Sequence, residues 1–289
     1  MRIAVAGATG FLGRHLVGRL AAKDVGMVPL GRTEDAATLG QKLAGCDVLI
    51  NCAGEKSGIG PAAEDANVAL PESLFLAAAA ASVPAFVHVS SVAALTGVTR
   101  AGETVSDEYR GRPTTPYGIS KRRGDDRLLH LASCHPATRL TILRPPILIG
   151  ADAGGPFAML RAAARRGLPL PVGGMNNRRS IVHVDNFAAA LLAAAKAGLA
   201  GPYIVTDSAP ISTAEFYARI SRALGRKPRV FSIGGVGRGL LRRLIGQRGD
   251  SLFGDAAFSG ERFAKDCPLD WPVPADSDRK STRLNSSHT

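Results

Sequence analysis

Tyr117 and Lys121 lie four residues apart, a spacing that could set a phenol and an amine side by side. On a helix, residues with this spacing share one face, about one turn apart. Thr115 suits an N-cap and Pro116 a first helical residue, so a helix is predicted to begin here. A free tyrosine has a pKa of about 10, and a neighbouring ammonium would lower it. The pair could then move a proton at a substrate oxygen. The alternative is an ordinary helix with a half-buried tyrosine and a solvated lysine.

Three glycines near the N-terminus, Gly7, Gly10 and Gly13, form a Gly-x-x-Gly-x-x-Gly turn. The apolar run Ile3–Ala6 before it suits a buried parallel strand, and Phe11–Leu20 after it has helical spacing. Glycines let the backbone turn tightly and approach a pyrophosphate, whose charge then lies at the helix N-terminus. The segment therefore predicts a dinucleotide site.

Strands and helices alternate along the rest of the chain, which predicts an α/β fold with a doubly wound parallel sheet. Only about fifteen residues separate Arg32 from Asp47, so the usual third strand is either missing or merged with Met27–Leu30. Further strands are predicted at 28–30, 48–50, 85–89, 140–143 and 203–205, and helices at 38–44, 66–81, 117–132, 156–166 and 186–197.

The composition favours a reduced, cytoplasmic α/β protein. The chain has 289 residues, enough for a full core, and a formal net charge of +12. Its four cysteines show no metal-ligand spacing, and no metal site is predicted. No apolar run approaches the roughly 20 residues of a membrane span. Aromatic residues make up 5% and do not alternate with basic ones, which argues against nucleic-acid binding.

Residues 278–289 are set apart from the functional reasoning. From Asp278 to His288 they match, codon by codon, the translation of a common sequencing adapter, so we interpret them as an artefact tail. The tail holds three basic residues and one acidic residue, and without it the formal charge falls from +12 to +10. We expect the natural chain to continue beyond Ser277.

The motifs together resemble the extended short-chain dehydrogenase/reductases, in the NAD-dependent epimerase/dehydratase family. The resemblance is greatest to nucleotide-sugar 4-reductases and UDP-hexose 4-epimerases. It runs from Met1 to about Asp276 and rests on motifs in a fixed order: the glycine turn, 47–54, 86–91, Tyr117-x-x-x-Lys121, 143–150 and 178–186. It implies a Rossmann-type domain at 1–150, joined by 181–206, and a small C-terminal α/β substrate lobe at 151–180 and 207–277.

The resemblance also implies residue roles. Ser91, Tyr117 and Lys121 would be catalytic, with Ser90 as the neighbouring choice for the serine. Hydride would pass between the nicotinamide and a sugar carbon while Tyr117 moves the hydroxyl proton. The implied cofactor-binding residues are Gly7, Thr9, Gly10, Phe11, Leu12, Gly13, Arg32, Ala53 and Lys121; the implied substrate-binding residues are Ser91, Asn67 and Arg179.

Several of these positions keep a second interpretation. Arg179 would grip a sugar-nucleotide diphosphate or be part of a solvated basic turn, and Asn67 would face the active site or be a helix-surface amide. Asp125 would pair with Lys121 or form a plain surface pair. His88 and His183 are expected to be packed residues.

The end of the second predicted strand decides the cofactor. Gly31-Arg32 stands where an arginine accommodates the 2′-phosphate of NADP, so NADP is favoured and NAD remains possible. In the alternative, Arg32 is a surface residue and Glu34 or Asp35 holds the ribose.

The resulting functional hypothesis is a 4-keto reductase of a UDP-linked deoxy or N-acetyl hexose. A UDP-hexose 4-epimerase with bound NAD is the alternative, followed by an alcohol or hydroxysteroid-type dehydrogenase and a non-catalytic assembly protein. A homodimer is expected through the helices near 66–81 and 117–132. The basic amphipathic segment 239–246 is interpreted as a packed lobe helix in preference to a membrane-surface contact.

Overall fold

A six-stranded parallel sheet forms the centre of the protein, with strand order β2-β1-β3-β4-β5-β8. The structure is a computed structural model that describes residues 1–32, 34–235, 237, 243 and 253–274. The strands are β1 Arg2–Ala6, β2 Gly26–Leu30, β3 Val48–Asn51, β4 Ala85–Val89, β5 Arg139–Arg144, β6 Ile147–Ile149, β7 Ile181–His183 and β8 Gly201–Ile204.

Helices follow most of the strands, as βα alternation requires in a parallel sheet. They are α1 Phe11–Ala21, α2 Ala36–Leu43, α3 Pro61–Glu64, α4 Leu70–Ala80, α5 Pro116–Cys134, α6 Gly155–Arg165, α7 Val184–Ala197, α8 Thr213–Ala223 and α9 Glu261–Asp266. A π-helical turn, Asp65–Ala69, joins α3 to α4, and a 3₁₀ turn, Val92–Ala94, follows β4. The predicted doubly wound α/β fold is confirmed, with element ends shifted by a few residues.

Side chains of alternate residues in β1 enter two separate cores. Ile3 and Val5 pack with Leu16 of α1 and with α7 on one face of the sheet. Ala4 and Ala6 pack on the opposite face, with α2, α4 and α5. Each large aliphatic side chain buried in this way stabilises the fold by roughly 1.5–3 kcal/mol. Both faces are covered, so the carboxyl ends of the strands are the open edge of the sheet.

The third strand of the usual doubly wound order is missing from the described residues. β2 pairs with β1 alone and forms the edge of the sheet. Residues 31–35, which lead from β2 to α2, leave no room for another strand and crossover. The first of the two sequence alternatives is therefore correct here, and the merged strand is not.

A smaller set of elements lies beyond β5. β6 and β7 form a two-stranded parallel sheet, and α6 and α8 pack together around Leu160, Phe216 and Tyr217. The domain boundaries predicted from the sequence stay a prediction. The segment 239–246 lies outside the described residues except for Arg243. Among the helices that the structure describes, none is long and apolar enough to cross a membrane.

Candidate active site

Helix α5 begins where the sequence predicts and carries Tyr117 in its first turn. The Thr115 hydroxyl oxygen accepts a hydrogen bond from the Gly118 N–H at 3.1 Å, and Pro116 is the first helical residue. A Cβ on Gly118 would lie 2.3 Å from the Ala93 carbonyl oxygen. The missing side chain therefore lets α5 press against the turn after β4, which brings Tyr117 to the end of that strand.

Ser91, and not Ser90, meets Tyr117. Successive residues of an extended strand point to opposite sides, so only one of the two serines can do so. The Ser91 hydroxyl lies close enough to Tyr117 to lower the pKa of the phenol, which burial raises, and it accepts the Ala93 N–H at 3.1 Å. Ser90 is buried and lies beside Asp125 instead.

Lys121 is buried one turn after Tyr117 and donates from Nζ to the Val89 carbonyl oxygen at 3.0 Å. Burial lowers the pKa of Lys121 to about 8. The expected lowering of the tyrosine pKa is wrong in this structure. Burial raises the pKa of Tyr117 to about 12, and the nearby Ser91 hydroxyl only partly opposes that rise. The phenol is therefore protonated at neutral pH.

Asp125 forms a buried ion pair with Arg144 at the end of β5. The Arg144 Nε donates to Asp125 Oδ2 at 2.9 Å, and Nη2 lies 2.9 Å from the same oxygen. The surface pair considered from the sequence is wrong, because Asp125 is 0% exposed. The carboxylate also raises the pKa of Lys121, which partly opposes the effect of burial.

Asn67 lies in the π-helical turn and holds the loop that follows β3. Its Oδ1 accepts the Glu55 N–H at 3.0 Å, and its Nδ2 donates to the Glu55 carbonyl at 2.8 Å and to Ser120 Oγ at 3.0 Å. The side chain is 0% exposed, so the helix-surface interpretation is wrong. The amide is engaged by the protein's own backbone, next to Gly54, whose Cβ would lie 3.1 Å from Lys121 Nζ.

The glycine turn has the close approaches that a dinucleotide site needs. A Cβ on Gly13 would lie 2.0 Å from the Gly7 carbonyl oxygen, and one on Gly7 would lie 2.6 Å from the Ala53 backbone N. Gly7 also has a φ of 76°, in the left-handed region. Gly10 caps α1 without a side-chain hydrogen bond, so the first N–H groups of the helix face the turn unblocked. These features fit a pyrophosphate.

The other predicted cofactor residues around the turn differ in exposure. Thr9 is exposed, and its carbonyl accepts a hydrogen bond from Arg14 Nη1 at 2.8 Å. Phe11 is half-buried, and Leu12 is buried in the core. Leu12 could therefore contact a ligand only through its backbone, because its side chain packs in the core between α1 and the sheet.

At the end of β2, Arg32 is exposed. Glu34 accepts the Gly31 N–H at 2.6 Å and forms an ion pair with Lys42. Asp35 caps α2 and accepts from the Thr38 N–H at 2.8 Å and from its hydroxyl at 3.2 Å. Glu34 and Asp35, the alternatives for binding the ribose, thus each have at least one carboxylate oxygen bonded within the protein.

Arg179 is buried, and its guanidinium is engaged by the backbone. Its Nη1 donates to the Gly254 carbonyl oxygen at 2.9 Å, and its own backbone pairs with Ile211. Burial lowers its pKa to about 10. The solvated-turn interpretation is therefore wrong for Arg179.

Reasoning from the sequence missed two partners of the site. One is Arg144, the counter-charge of Asp125. Its position at the end of a buried strand was the signal that could have identified it as a buried charge in need of a partner. The other is the amide of Asn51, whose Nδ2 lies 3.2 Å from His88 Nδ1 while its Oδ1 accepts the Ala53 N–H at 2.9 Å. Burial and the charges of Lys121 and Arg144 lower the pKa of His88, so the imidazole is neutral.

One open depression of about 580 Å³ lies elsewhere, along α1, and holds neither Tyr117 nor Lys121; among its lining residues are Arg14, Arg19 and Lys23. Within the described ranges, no group of three or more His, Cys, Asp or Glu residues could hold a metal ion.

Comparison with known proteins agrees with this geometry. A ketoreductase acting on a farnesylated dihydroquinoline oxide, from Stigmatella aurantiaca, is 30% identical over 81% of this chain and 76% of its own length. A ceramide reductase from Caulobacter vibrioides is 27% identical over 80% of this chain and 73% of its own length.

Solved structures share the fold at lower identity. A UDP-glucose 4-epimerase from Thermus thermophilus, solved with NAD, has a TM-score of 0.76 at 19% identity and covers 98% of both chains. A human epimerase family protein, solved with NADPH, also has a TM-score of 0.76 at 19% identity, over 98% of this chain and 100% of its own. The family model for NAD-dependent epimerases/dehydratases matches residues 3–205. The chain therefore belongs to the NAD-dependent epimerase/dehydratase family and is an NAD(P)-dependent enzyme of the short-chain dehydrogenase/reductase type.

Proposed function

We propose that the protein is an NADPH-dependent ketone reductase. The observation that carries this proposal is the placement of Ser91 beside Tyr117 at the carboxyl end of β4, with Lys121 one turn further along α5. Two hydroxyl groups that meet at this edge of a Rossmann-type sheet can hold a carbonyl oxygen beside the nicotinamide.

Each residue has one role in the proposed reaction. The dinucleotide, when bound, supplies the hydride. Ser91 orients the substrate oxygen, and Tyr117 donates its phenolic proton to that oxygen as it becomes a hydroxyl. The phenol is protonated at neutral pH, as a proton donor must be. Lys121 binds the nicotinamide ribose and stabilises the phenolate that remains.

The contacts of Arg179 favour an apolar ketone as the substrate. A guanidinium that is 6% exposed and donates to the Gly254 carbonyl is poorly placed to grip a diphosphate. The two sequence relatives that span most of the chain are named as reductases of lipophilic compounds. The 4-keto sugar of a UDP-linked hexose, expected from the sequence, is the second candidate; the solved neighbour that is a UDP-glucose 4-epimerase favours it.

NADP is the proposed cofactor. Arg32 is exposed at the end of β2, where it can pair with a 2′-phosphate. Asp35 uses both carboxylate oxygens to cap α2, and one oxygen of Glu34 is shared by Gly31 and Lys42. Neither acid is then well placed to read a ribose diol, and the alternative with NAD is less favoured.

The test is turnover with a matched substrate panel. The protein is incubated with NADPH or NADH and either a long-chain aliphatic ketone or a UDP-linked 4-keto-6-deoxyhexose. We expect NADPH oxidation with the long-chain ketone. Turnover of the UDP sugar alone would transfer the proposal to the nucleotide-sugar class. Tightly bound NAD and interconversion of UDP sugars without net absorbance change would indicate an epimerase and contradict the reductase.

We further propose a homodimer through α4 and α5. Leu76, Ile119 and Leu129 are large apolar side chains exposed on these helices. A mass measurement in solution by light scattering tests this, and a monomer would contradict it. A cytoplasmic location stays a prediction.

A further inference from the structure

The proposed catalytic residue Lys121 belongs to a buried group of three charged side chains. Lys121 and Asp125 are one turn apart on α5, and Arg144 ends the neighbouring strand β5. They are 3%, 0% and 4% exposed, respectively. Burying a charged side chain costs free energy unless an opposite charge lies nearby. Here the cations Lys121 and Arg144 have the single carboxylate of Asp125 as their counter-charge.

Arg144 fixes the Asp125 carboxylate from β5. Both contacts from its guanidinium, Nε and Nη2, reach the same oxygen, Oδ2, at 2.9 Å. The other oxygen, Oδ1, makes no hydrogen bond within the described part of the chain. Burial raises the pKa of Asp125, and the charge of Arg144 and the nearby Ser90 hydroxyl oppose that rise, although Ser90 makes no hydrogen bond within the described residues. One carboxylate oxygen is thus left uncommitted beside α5.

The other titratable groups around Lys121 are Glu55, a carboxylate whose charge acts on Tyr117, and groups that are neutral. Cys52, after β3, is a neutral thiol because burial raises its pKa to about 12. Tyr117 is protonated, and His88 on β4 is neutral. Lys121 itself donates to the uncharged Val89 carbonyl. Burial lowers the pKa of Lys121, and the charge of Asp125 is the largest of the effects that oppose this lowering.

We propose that Asp125 is a positioning residue of the catalytic site: held by Arg144, its carboxylate keeps the Lys121 side chain cationic where it meets the nicotinamide ribose. The inference rests on the proposed function, in which Lys121 binds that ribose. Without the carboxylate, Lys121 faces burial without a counter-charge and releases its proton at lower pH. The buried pair is then part of the site's electrostatics as well as of its packing.

The test measures NADPH affinity against pH by fluorescence, so no substrate is needed. Wild-type protein is compared with Asp125→Asn and with the control Asp126→Asn. Asp126 is the next residue on α5, more than half exposed and paired with Arg122 on the surface. We expect wild-type affinity to fall as pH rises through about 8. In Asp125→Asn this fall moves down by about one pH unit or more, and in Asp126→Asn it does not move.

Further variants separate this role from a loss of fold. Asp125→Glu keeps the charge and is expected to restore most of the wild-type profile. In a Lys121→Arg background, Asp125→Asn is expected to shift nothing, because arginine does not titrate in this range. If Asp125→Asn does not fold, Asp125→Asn/Arg144→Met removes both members of the pair. This variant is expected to show a smaller downward shift, because the loss of the Arg144 cation favours the protonated lysine; no downward shift would contradict the inference.

Two failures are distinguishable. An Asp125→Asn protein that is folded, as judged by thermal unfolding, and keeps the wild-type pH profile overturns the inference while the proposed function stands. Wild-type protein that binds neither NADPH nor NADH at any pH overturns the proposed function, and with it the inference.

Discussion

Arg179 and Gly254 are joined by a hydrogen bond of 2.9 Å from the guanidinium Nη1 to the carbonyl oxygen. The bond ties Arg179, which lies just upstream of β7, to a segment 75 positions away in the chain. It is buried, and the backbone of Arg179 also pairs with Ile211 and Ala256. Arg179 thereby joins three segments of the chain, which is a structural role.

Replacing Arg179 with methionine is expected to destabilise the fold. The change keeps much of the side-chain volume but removes one of two donors to the buried Gly254 carbonyl, which also accepts from Asn177 Nδ2 at 3.1 Å. The loss of one such hydrogen bond costs about 1 kcal/mol. Denaturant unfolding measures the loss. The control is Arg178→Met, because Arg178 is less buried and donates to the Gly102 carbonyl nearer the surface; its cost is expected to be under about 0.5 kcal/mol. An unchanged stability with a raised KM for a UDP sugar would instead support a diphosphate clamp.

Replacing Tyr117 with phenylalanine is expected to lower kcat by about 10²–10⁴-fold, because the proton donor is lost. NADPH affinity should stay within about twofold, since the phenol is not proposed to bind the dinucleotide. Steady-state kinetics and fluorescence titration measure the two effects. Tyr203→Phe is the matched control, because the Tyr203 hydroxyl contacts Asp266 on α9, outside the site. Equal losses in the two variants would show that the effect is structural.

Replacing Gly13 with alanine is expected to abolish dinucleotide binding. Its Cβ would lie 2.0 Å from the Gly7 carbonyl oxygen, so the turn must open. Gly18→Ala on the same helix meets nothing within 4 Å, and it should leave binding intact while stabilising the protein by about 0.5–1 kcal/mol. Isothermal titration with NADPH and thermal unfolding check both variants. Binding that survives in Gly13→Ala would contradict the assignment of this turn to the pyrophosphate.

Asp107 is expected to make the protein less stable at neutral pH than at mildly acidic pH. Burial raises its folded pKa to about 6, although its Oδ1 accepts the Ile204 N–H at 2.6 Å. An unfolded aspartate has a pKa of about 3.9, so the folded state binds more protons between about pH 4 and about pH 6. This group's contribution to stability falls as pH rises through that window and stays low above it.

Asp107→Asn keeps an acceptor for the Ile204 N–H and removes the titration. At pH 7 it should stabilise the protein by an amount on the order of 2 kcal/mol, and at about pH 4 it should change little. Urea unfolding at the two pH values tests this. A variant that is destabilised equally at both pH values would contradict the explanation.

Local patterns were sufficient to predict the parts of the site that depend on neighbours in sequence. The glycine spacing predicted the turn between β1 and α1, and Thr115-Pro116 predicted the start of α5. The short interval after Arg32 predicted the missing strand as one of two alternatives. Each of these features is decided within a few residues by backbone geometry, capping or chain length.

Long-range partners were not predictable in this way. The four-residue spacing suggested that Asp125 pairs with Lys121, but β5 brings Arg144 to the carboxylate from the neighbouring strand. The shift in the Tyr117 pKa also depends on burial, which no spacing reveals. The sequence left Arg179 open as a ligand-binding residue, whereas in the fold its guanidinium donates to the Gly254 carbonyl. In each case tertiary packing chose between interpretations that the sequence left open.

The strand that is missing outside β2 leaves the sheet with an edge, and the edge is protected against self-association. A free strand edge offers unpaired N–H and C=O groups on which another chain can add a strand. Pro29 lies in β2 and has no N–H to donate, and the Lys42 amine lies 3.4 Å from the Pro29 carbonyl oxygen. A proline on the outermost strand and a lysine of α2 beside it therefore discourage the edge-to-edge growth that leads to aggregates.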